Sequence, residues 1–354
     1  MASAQAKLRS IDLRPYGLEP VTNREYKARI FTSALEYLKD GSIVVAFPAA
    51  YSSLDLNHER TFNTERATVL HFDPHSGKLL HRFEGLVSNE LRFLAATADG
   101  GFLLVQRREV VFYSRECVAT GSIQLPLDIE SVEVSPSRRY ITLAGSTGDM
   151  LHVTVVDTAT RASVRQYEVH GGPIVVLSDG YATLKTYTVQ GVSIGGVRRI
   201  AIVGHGQQVN FAVPQPKTVD LGMAFDCPVA FEAASDDSIV YATCGLMQVV
   251  DERGRRVFKD VVKHSTVVRT QPAMEGARLA YSLVRGPYAK TTEQLRASGK
   301  DFSIRVADLG TGRIVATVPI VPFPRIGGVF ALSVDGRELA VMNDVTLEVF
   351  DLRE

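Results

Sequence analysis

The sequence predicts an all-β fold, and three observations support this prediction. Short runs rich in β-branched and aromatic residues recur from end to end, for example at residues 42–47, 101–105 and 239–242. Tight polar turns separate these runs. Helical periodicity is nearly absent, so an α/β or helical architecture is not expected.

The first repeated element is a hairpin turn that follows the first strand of each unit. It is Asp-Gly or a close variant, at residues 40–41, 99–100, 136–138, 179–180, 236–237, 275–276 and 335–336. Asp-Gly favours a two-residue hairpin loop because both central positions then adopt a positive φ. The seven turns therefore predict seven hairpins.

A second turn follows most of these hairpins, and it joins a strand ending in Asp to a strand that opens with a basic residue. Residues 73–78 (Asp-Pro-His-Ser-Gly-Lys) show it best, and residues 157–161, 251–255 and 308–313 match it. Residues 114–117 are a degenerate copy, and the copy around residues 188–200 is not recognisable. Two hairpins in a repeat of about 40 residues mean four strands per repeat, the pattern of a β-propeller blade. We predict a seven-bladed β-propeller that fills residues 1–354 as one domain. Its blades are placed at residues 33–86, 88–126, 129–170, 172–212, 223–263, 267–320 and 329–354.

The last predicted blade has only three strands before the sequence ends, so another segment must complete it. Residues 7–13 (Lys-Leu-Arg-Ser-Ile-Asp-Leu) alternate polar and apolar side chains, as a half-buried strand does. We predict that this N-terminal strand closes the ring as the outer strand of the seventh blade.

These tandem units resemble the YVTN/WD-repeat-like propellers over almost the whole chain. The resemblance rests on the Asp-Gly turn after the inner strand and on the D-x-x-T/S-G-K/R turn before the outer strand. The chain has no Trp, and a Gly-His dipeptide occurs once, at Gly204-His205. It therefore departs from the WD repeat and is similar to the bacterial type. The resemblance implies binding of a ligand or partner at a ring face, without a shared chemistry.

Long connections give the predicted binding site. In a blade of strands a to d, the b–c connections and the links from d to the next blade open on one face. Residues 14–29, 50–66, 284–301 and 320–328 are long connections of this kind in consecutive blades. They should cluster, and the predicted site presents His58, Glu59, Arg60, Arg66, Arg285, Tyr288, Lys290, Arg296 and Arg325. The alternative for each residue alone is a solvated loop charge.

Catalytic motifs are weak in this sequence. Gly191-Val-Ser-Ile-Gly195 matches G-x-S-x-G, but that mechanism needs a helix after Ser193, and residues 197–203 resemble a strand. Gly204-His-Gly206 is expected to be a loop. Phosphate-loop, dinucleotide, EF-hand and C-x-x-C motifs are absent, so no cofactor or metal is predicted. Ligands around a central channel would come from distant blades and leave no spacing pattern.

Charge and hydropathy limit the partners and the compartment. The 39 Lys and Arg balance 39 Asp and Glu, which argues against a nucleic-acid partner. No apolar run is long enough to predict a membrane span. Residues 2–6 fit a signal-peptidase site without the preceding apolar region. Two interpretations stay open. Either a leader was trimmed from a periplasmic or secreted protein, or the start is Ala-rich and disordered, which is compatible with the cytoplasm.

We predict a non-enzymatic propeller that binds a protein or peptide partner through long loops on one face. A monomer is expected because a closed ring has no open sheet edge that demands a partner. The alternatives are a structural module of a cell envelope and an enzyme of the hydrolase, lactonase or quinoprotein type, with a metal or cofactor at the channel mouth. Clustered His, Asp and Glu with perturbed pKa values would favour the enzyme, and an apolar or plain polar channel would favour the binder.

Overall fold

The computed structural model describes most of the chain, with gaps between the described segments. The described residues are 7–18, 33–48, 64–88, 93–170, 173–178, 180–189, 204–213, 215–224, 230–243, 245–262, 265–285, 302–320 and 329–353. Their strands form seven four-stranded antiparallel sheets. The all-β, seven-bladed prediction is therefore confirmed. Within this part of the chain, no helix is long and apolar enough to cross a membrane.

The first four blades each contain four consecutive strands, which run in order from the ring axis outward. Blade one contains β2 (Ala34–Tyr37), β3 (Ile43–Pro48), β4 (Thr64–Phe72) and β5 (Leu79–Ser88). Blade two contains β6 (Leu94–Ala96), β7 (Phe102–Val105), β8 (Glu109–Tyr113) and β9 (Ala119–Gln124). Blade three contains β10 (Ser131–Val134), β11 (Tyr140–Thr147), β12 (Met150–Asp157) and β13 (Ala162–His170). Blade four contains β14 (Ile174–Leu177), β15 (Gly180–Val189), β16 (Gly204–Ala212) and β17 (Lys217–Ala224).

The last three blades follow the same order, and the seventh takes its outer strand from the N-terminal end. Blade five contains β18 (Ala230–Ser235), β19 (Ser238–Thr243), β20 (Leu246–Asp251) and β21 (Arg256–Asp260). Blade six contains β22 (Ser265–Pro272), β23 (Arg278–Arg285), β24 (Phe302–Asp308) and β25 (Arg313–Ile320). Blade seven contains β26 (Phe330–Leu332), β27 (Glu338–Asn343), β28 (Thr346–Asp351) and β1 (Lys7–Asp12).

The ring closes as the sequence predicts. β1 pairs antiparallel with β28, with Ile11 opposite Leu347. Leu13, just after β1, is fully buried and donates its backbone N–H to the carbonyl of Val345 at 2.8 Å. A short 3-10 turn at Arg14–Tyr16 then ends this segment. The first and last parts of the chain therefore form one blade.

The apolar core lies between neighbouring blades. Leu35 of blade one and Val349 of blade seven belong to one cluster of buried side chains. Similar clusters join blades one, two and three, and then each successive pair up to blade seven. Each sheet is therefore buried on both faces, which explains why the inner strands are apolar runs rather than alternating patterns.

The a–b hairpins differ from the predicted two-residue turn. In the β2–β3 turn, the N–H of Gly41 bonds the carbonyl of Leu38 at 3.0 Å, and the N–H of Leu38 bonds the carbonyl of Ser42 at 2.8 Å. Gly41 has φ 85°, whereas Asp40 is not among the described residues with positive φ. This is a three-residue loop that ends in a left-handed glycine. The Asp-Gly motif therefore marks the hairpin correctly but predicts the wrong turn type.

Blade four extends further along the chain than the predicted range of 172–212. Its outer strand β17 follows at Lys217–Ala224, after residues 213–216 (Val-Pro-Gln-Pro), which lack the Asp-to-basic pattern of the other c–d turns. The Gly204-His-Gly206 segment, predicted as a loop, begins strand β16. That prediction was wrong because small residues in a strand mimic the composition of a turn.

Candidate functional site

The antiparallel order of each blade gives the ring two different faces. The a–b and c–d turns form one face, which we call the tight-turn face. The b–c connections and the links between blades form the opposite, long-connection face. On the long-connection face, β3 ends at Pro48 and β4 begins at Thr64, while β23 ends at Arg285 and β24 begins at Phe302.

The predicted loop site lies on the long-connection face, largely outside the described residues. His58, Glu59, Arg60, Tyr288, Lys290, Arg296 and Arg325 all lie beyond the described ranges. Arg285 ends β23, where its backbone pairs with Ser265. Arg66 lies within strand β4 rather than in a loop, and its Nη1 is 3.6 Å from Oε2 of Glu84. The clustering of these residues stays a prediction.

The ring axis contains a buried charged contact that joins three blades. Glu36 of β2 and Arg138 of the β10–β11 turn are 1% and 2% exposed. The Arg138 Nη2 donates to Glu36 Oε2 at 3.1 Å. Gln271 of β22 is fully buried and donates its Nε2 to both Glu36 oxygens at 3.3 and 3.4 Å. The interior near the axis is therefore polar, and the two charged side chains named here form an ion pair.

Further polar contacts connect the inner strands and their turns. The Ser137 hydroxyl donates to Asp236 Oδ1 at 3.1 Å, which links the a–b turns of blades three and five. The Thr270 hydroxyl donates to the carboxylate of Glu232, which links blades six and five. In the described part of the chain, no three His, Cys, Asp or Glu side chains come together as a metal site.

A groove opens on the tight-turn face between blades one, two and three. It has a volume of about 510 Å³, and turns from the three blades form its walls. Blade one contributes Lys39 and Asp40, and blade two contributes Asp99 of its a–b turn and Arg115 and Glu116 of its c–d turn. Blade three contributes Arg161 of its c–d turn, and Gly100, Gly101 and Ser114 complete the lining. Three cations and three carboxylates therefore face one cavity.

Arg161 is held in place by several contacts at one wall of this groove. It adopts φ 58°, a conformation in which its guanidinium reaches blade two. Nη1 donates to the Thr120 carbonyl at 2.8 Å and Nη2 to Asp99 Oδ2 at 3.3 Å. The guanidinium carbon also lies 5.7 Å from the centre of the Phe112 ring. These contacts fix the wall before any ligand binds.

The opposite wall carries a second ion pair. Arg115 Nε donates to Glu116 Oε1 at 2.7 Å. This hydrogen bond, with smaller contributions from the Glu116 backbone N–H and the Ser114 hydroxyl, lowers the pKa of Glu116 to about 2. Glu116 is therefore ionised at any pH at which the protein works.

A buried histidine network lies beneath the same turn of blade one. The Asp40 carboxylate accepts hydrogen bonds from both the backbone N–H and the hydroxyl of Ser42. Ser42 Oγ lies 2.7 Å from His71 Nε2. Since the one Ser42 proton is given to Asp40, Nε2 of His71 must carry the proton that joins it to Ser42. Burial lowers the pKa of His71 and so favours the neutral ring. A catalytic triad would instead join the carboxylate to the histidine.

Several arginines that stand in pairs in the sequence, at or near turns, form ion pairs in the fold. Arg107 and Arg108 both pair with Asp128. Arg139 pairs with Asp157 at 3.3 Å, and Arg255 pairs with Asp251 at 2.8 Å. These arginines therefore bind carboxylates at or near turns. Arg198 and Arg199, like the G-x-S-x-G segment, lie outside the described residues.

Sequence reasoning missed the axial contact and the groove, since both combine residues of different blades. One signal was available for Arg138. The β10–β11 turn, Ser135-Pro-Ser-Arg138, has Arg at the position where other turns place Gly, and Arg138 adopts φ 61°. A non-glycine residue in that conformation points to a functional or structural constraint on its side chain.

Comparisons with known proteins support the fold alone. No family model and no curated protein match the chain. The C-terminal WD40 domain of Sif2 is 8% identical, with a TM-score of 0.51 and full coverage of both chains. A chain of the mitotic checkpoint complex is 13% identical, with a TM-score of 0.50, and the match covers 99% of this chain and 96% of that one.

A bacterial-type assignment is not settled by these likenesses. A chain of Kuenenia stuttgartiensis hydrazine synthase is 14% identical, with a TM-score of 0.51, and the match covers 95% of this chain and 98% of that one. Identities this low show a common fold alone. The chain is a seven-bladed β-propeller that is similar in structure to WD40 domains.

Proposed function

We propose that this protein is a β-propeller scaffold that binds a protein or peptide partner through the long-connection face. The contrast between the two faces carries the proposal. The turns of the tight-turn face are short and closed by hydrogen bonds, whereas three b–c connections span residues 49–63, 190–203 and 286–301. Connections of this length are uncommon in a compact domain and are usually either functional or disordered. A chain of the mitotic checkpoint complex has the same fold, which is compatible with a scaffold.

The charge of these connections favours an acidic partner segment. The five longest connections of this face are residues 19–32, 49–63, 190–203, 286–301 and 321–328. Together they carry ten Lys or Arg and six Asp or Glu, in a chain of zero net charge. An excess of cations on one face steers acidic partners toward it, and salt weakens that attraction. The proposed contact residues are His58, Arg60, Arg66, Arg285, Tyr288, Lys290, Arg296 and Arg325.

Shortening one connection tests the proposal without disturbing the blade. Val284 and Phe302 already face each other in the β23–β24 ladder, so residues 285–301 can be replaced by Asn-Gly, a two-residue hairpin loop. Peptides selected on the wild-type protein by phage display serve as the probe. We expect the selected peptides to be acidic. The shortened variant should keep a melting temperature similar to that of the wild type and bind these peptides at least tenfold more weakly.

A matched control lies on the other face. Lys78 is exposed in a c–d turn of the tight-turn face, so Lys78→Gln should leave the affinity for these peptides unchanged. Full retention of binding by the shortened variant would contradict the proposal. Because hydrazine synthase also contains this fold, the same preparation should be analysed for bound metal. A stoichiometric divalent ion would favour the enzyme alternative.

A further inference from the structure

The groove of the tight-turn face has a composition that selects for one kind of ligand. Its charged side chains are three cations, Lys39, Arg115 and Arg161, and three carboxylates, Asp40, Asp99 and Glu116. A polyanion would meet the three carboxylates, and a polycation would meet the three cations. A ligand that carries one charge of each sign avoids both repulsions.

Most of these charges are already paired, and the exceptions are adjacent. Arg161 bonds Asp99, and Arg115 bonds Glu116. Lys39 makes no hydrogen bond or ion pair to any described residue, and it is exposed. Asp40 uses Oδ1 to bind Ser42, while its Oδ2 has no hydrogen bond within the described chain. One ammonium and one carboxylate oxygen, on consecutive residues, thus make no hydrogen bond to a described residue, and the charge of Asp40 also acts on Arg115.

The shape of the groove is fixed by packed turns rather than by long loops. Its volume of about 510 Å³ lies within the range of 300–1,000 Å³ that is typical of small-ligand sites. At Gly101 a Cβ atom would lie 2.2 Å from the carbonyl oxygen of Tyr113, and at Gly100 it would face the Lys39 side chain at 3.9 Å. Glycine therefore keeps the floor open and lets the two turns approach closely. A preformed site loses little entropy on binding.

We propose that this groove binds a short peptide segment that carries both an acidic and a basic group. The acidic group pairs with Lys39, and the basic group pairs with the outer oxygen of Asp40. The two existing ion pairs form the walls and keep further charges of either sign from entering. The site lies on the opposite face from the proposed partner surface and is independent of it.

Lysine footprinting tests this with an internal control. The probe is the blocked peptide Ac-Glu-Ala-Arg-NH2, which has no amine of its own, and the readout is the rate at which each lysine is acylated, measured by mass spectrometry. For a site with a Kd of about 1 mM, about 5 mM peptide should slow the acylation of Lys39 about sixfold. Lys78, exposed on the same face but outside the groove, should react at an unchanged rate.

Three further measurements keep the proposal falsifiable. The peptides Ac-Gln-Ala-Gln-NH2, Ac-Glu-Ala-Glu-NH2 and Ac-Arg-Ala-Arg-NH2 should give less than twofold protection of Lys39. Asp40→Asn keeps an oxygen that can accept the hydrogen bonds of Ser42. It should remove most of the protection of Lys39 by Ac-Glu-Ala-Arg-NH2, and its melting temperature shows whether it is folded. Equal protection by the neutral peptide, equal protection of Lys78 or full protection in Asp40→Asn would overturn the assignment.

Discussion

Removing one partner of the axial contact should destabilise the whole ring. Glu36 and Arg138 are almost fully buried, lie 102 positions apart in sequence and join blades one and three. Gln271 of blade six holds the other side of the Glu36 carboxylate. In Arg138→Met the carboxylate keeps its charge and loses the guanidinium that bonds it. Methionine retains a Cβ at φ 61°, so the backbone strain stays the same.

The expected magnitude follows from the burial of both groups. Leaving one charge of a buried pair without its partner costs about 3–5 kcal/mol, a large part of the roughly 5–15 kcal/mol by which proteins are stable. Glu36→Gln should cost a similar amount because it removes the carboxylate charge that faces the buried guanidinium. The double variant removes both charges. We therefore expect it to be about 2 kcal/mol more stable than the sum of the two single effects predicts.

Urea unfolding of the four proteins, followed by circular dichroism, gives the free energies. The exposed pair of Arg14 and Asp12, 2.7 Å apart, is the matched control, and Arg14→Met should leave the urea midpoint close to that of the wild type. Two outcomes would refute the view that this contact holds the ring together. One is that the effects of the two single variants add to that of the double variant within about 0.5 kcal/mol. The other is that Arg138→Met loses no more free energy of unfolding than the control variant does.

Three other perturbations test the closing strand, the buried histidine and the turn glycines. Deleting residues 1–14 removes β1 and should prevent folding or lower the melting temperature by about 10 °C, and an unchanged melting curve would contradict ring closure. Since burial lowers the pKa of His71, the unfolded chain binds its proton more readily, and stability is lost as the pH falls below about 6.5. The urea midpoint should therefore fall further between about pH 7.5 and about pH 5.5 in the wild type than in His71→Gln. Gly101→Ala places a Cβ 2.2 Å from a backbone oxygen and should cost about 3 kcal/mol. Gly41→Ala, with φ 85° and open space around it, should cost only about 1–2 kcal/mol, and equal urea midpoints would rule out the clash.

The sequence predicts those features of the fold that depend on local chemistry. The repeated turns fix the number of hairpins, because an Asp and a small residue at a strand end favour a reversal wherever they occur. The N-terminal strand was predictable because residues 7–13 alternate, and they form β1 at Lys7–Asp12. The outer strand β17 was missed because residues 213–216 (Val-Pro-Gln-Pro) do not match the second turn motif, although Val219, Leu221 and Met223 alternate with other residues.

Contacts between blades could not be predicted from spacing. Gln271 and Glu36 are 235 positions apart, and no periodicity in the sequence relates them. The same holds for the groove, whose charges come from four turns of three blades. The turn motif places each charged residue on the tight-turn face, but the ring geometry decides which of them become neighbours. The sequence pointed to the face with long connections because the length of a connection can be counted in a sequence. That turns of different blades meet in one groove cannot be.

Blade one links the axis, the groove and the long connections through a single hairpin. Strand β2 carries Glu36 at the axis and leads directly into Lys39 and Asp40 of the groove, and β3 leads from that turn to the opposite face at Pro48. Both strands are buried along their described length. A shift of one strand against the other would open cavities in close-packed cores on both sides. The hairpin therefore holds the two faces at a fixed distance, and each proposed site should bind its ligand with an affinity that is independent of the other.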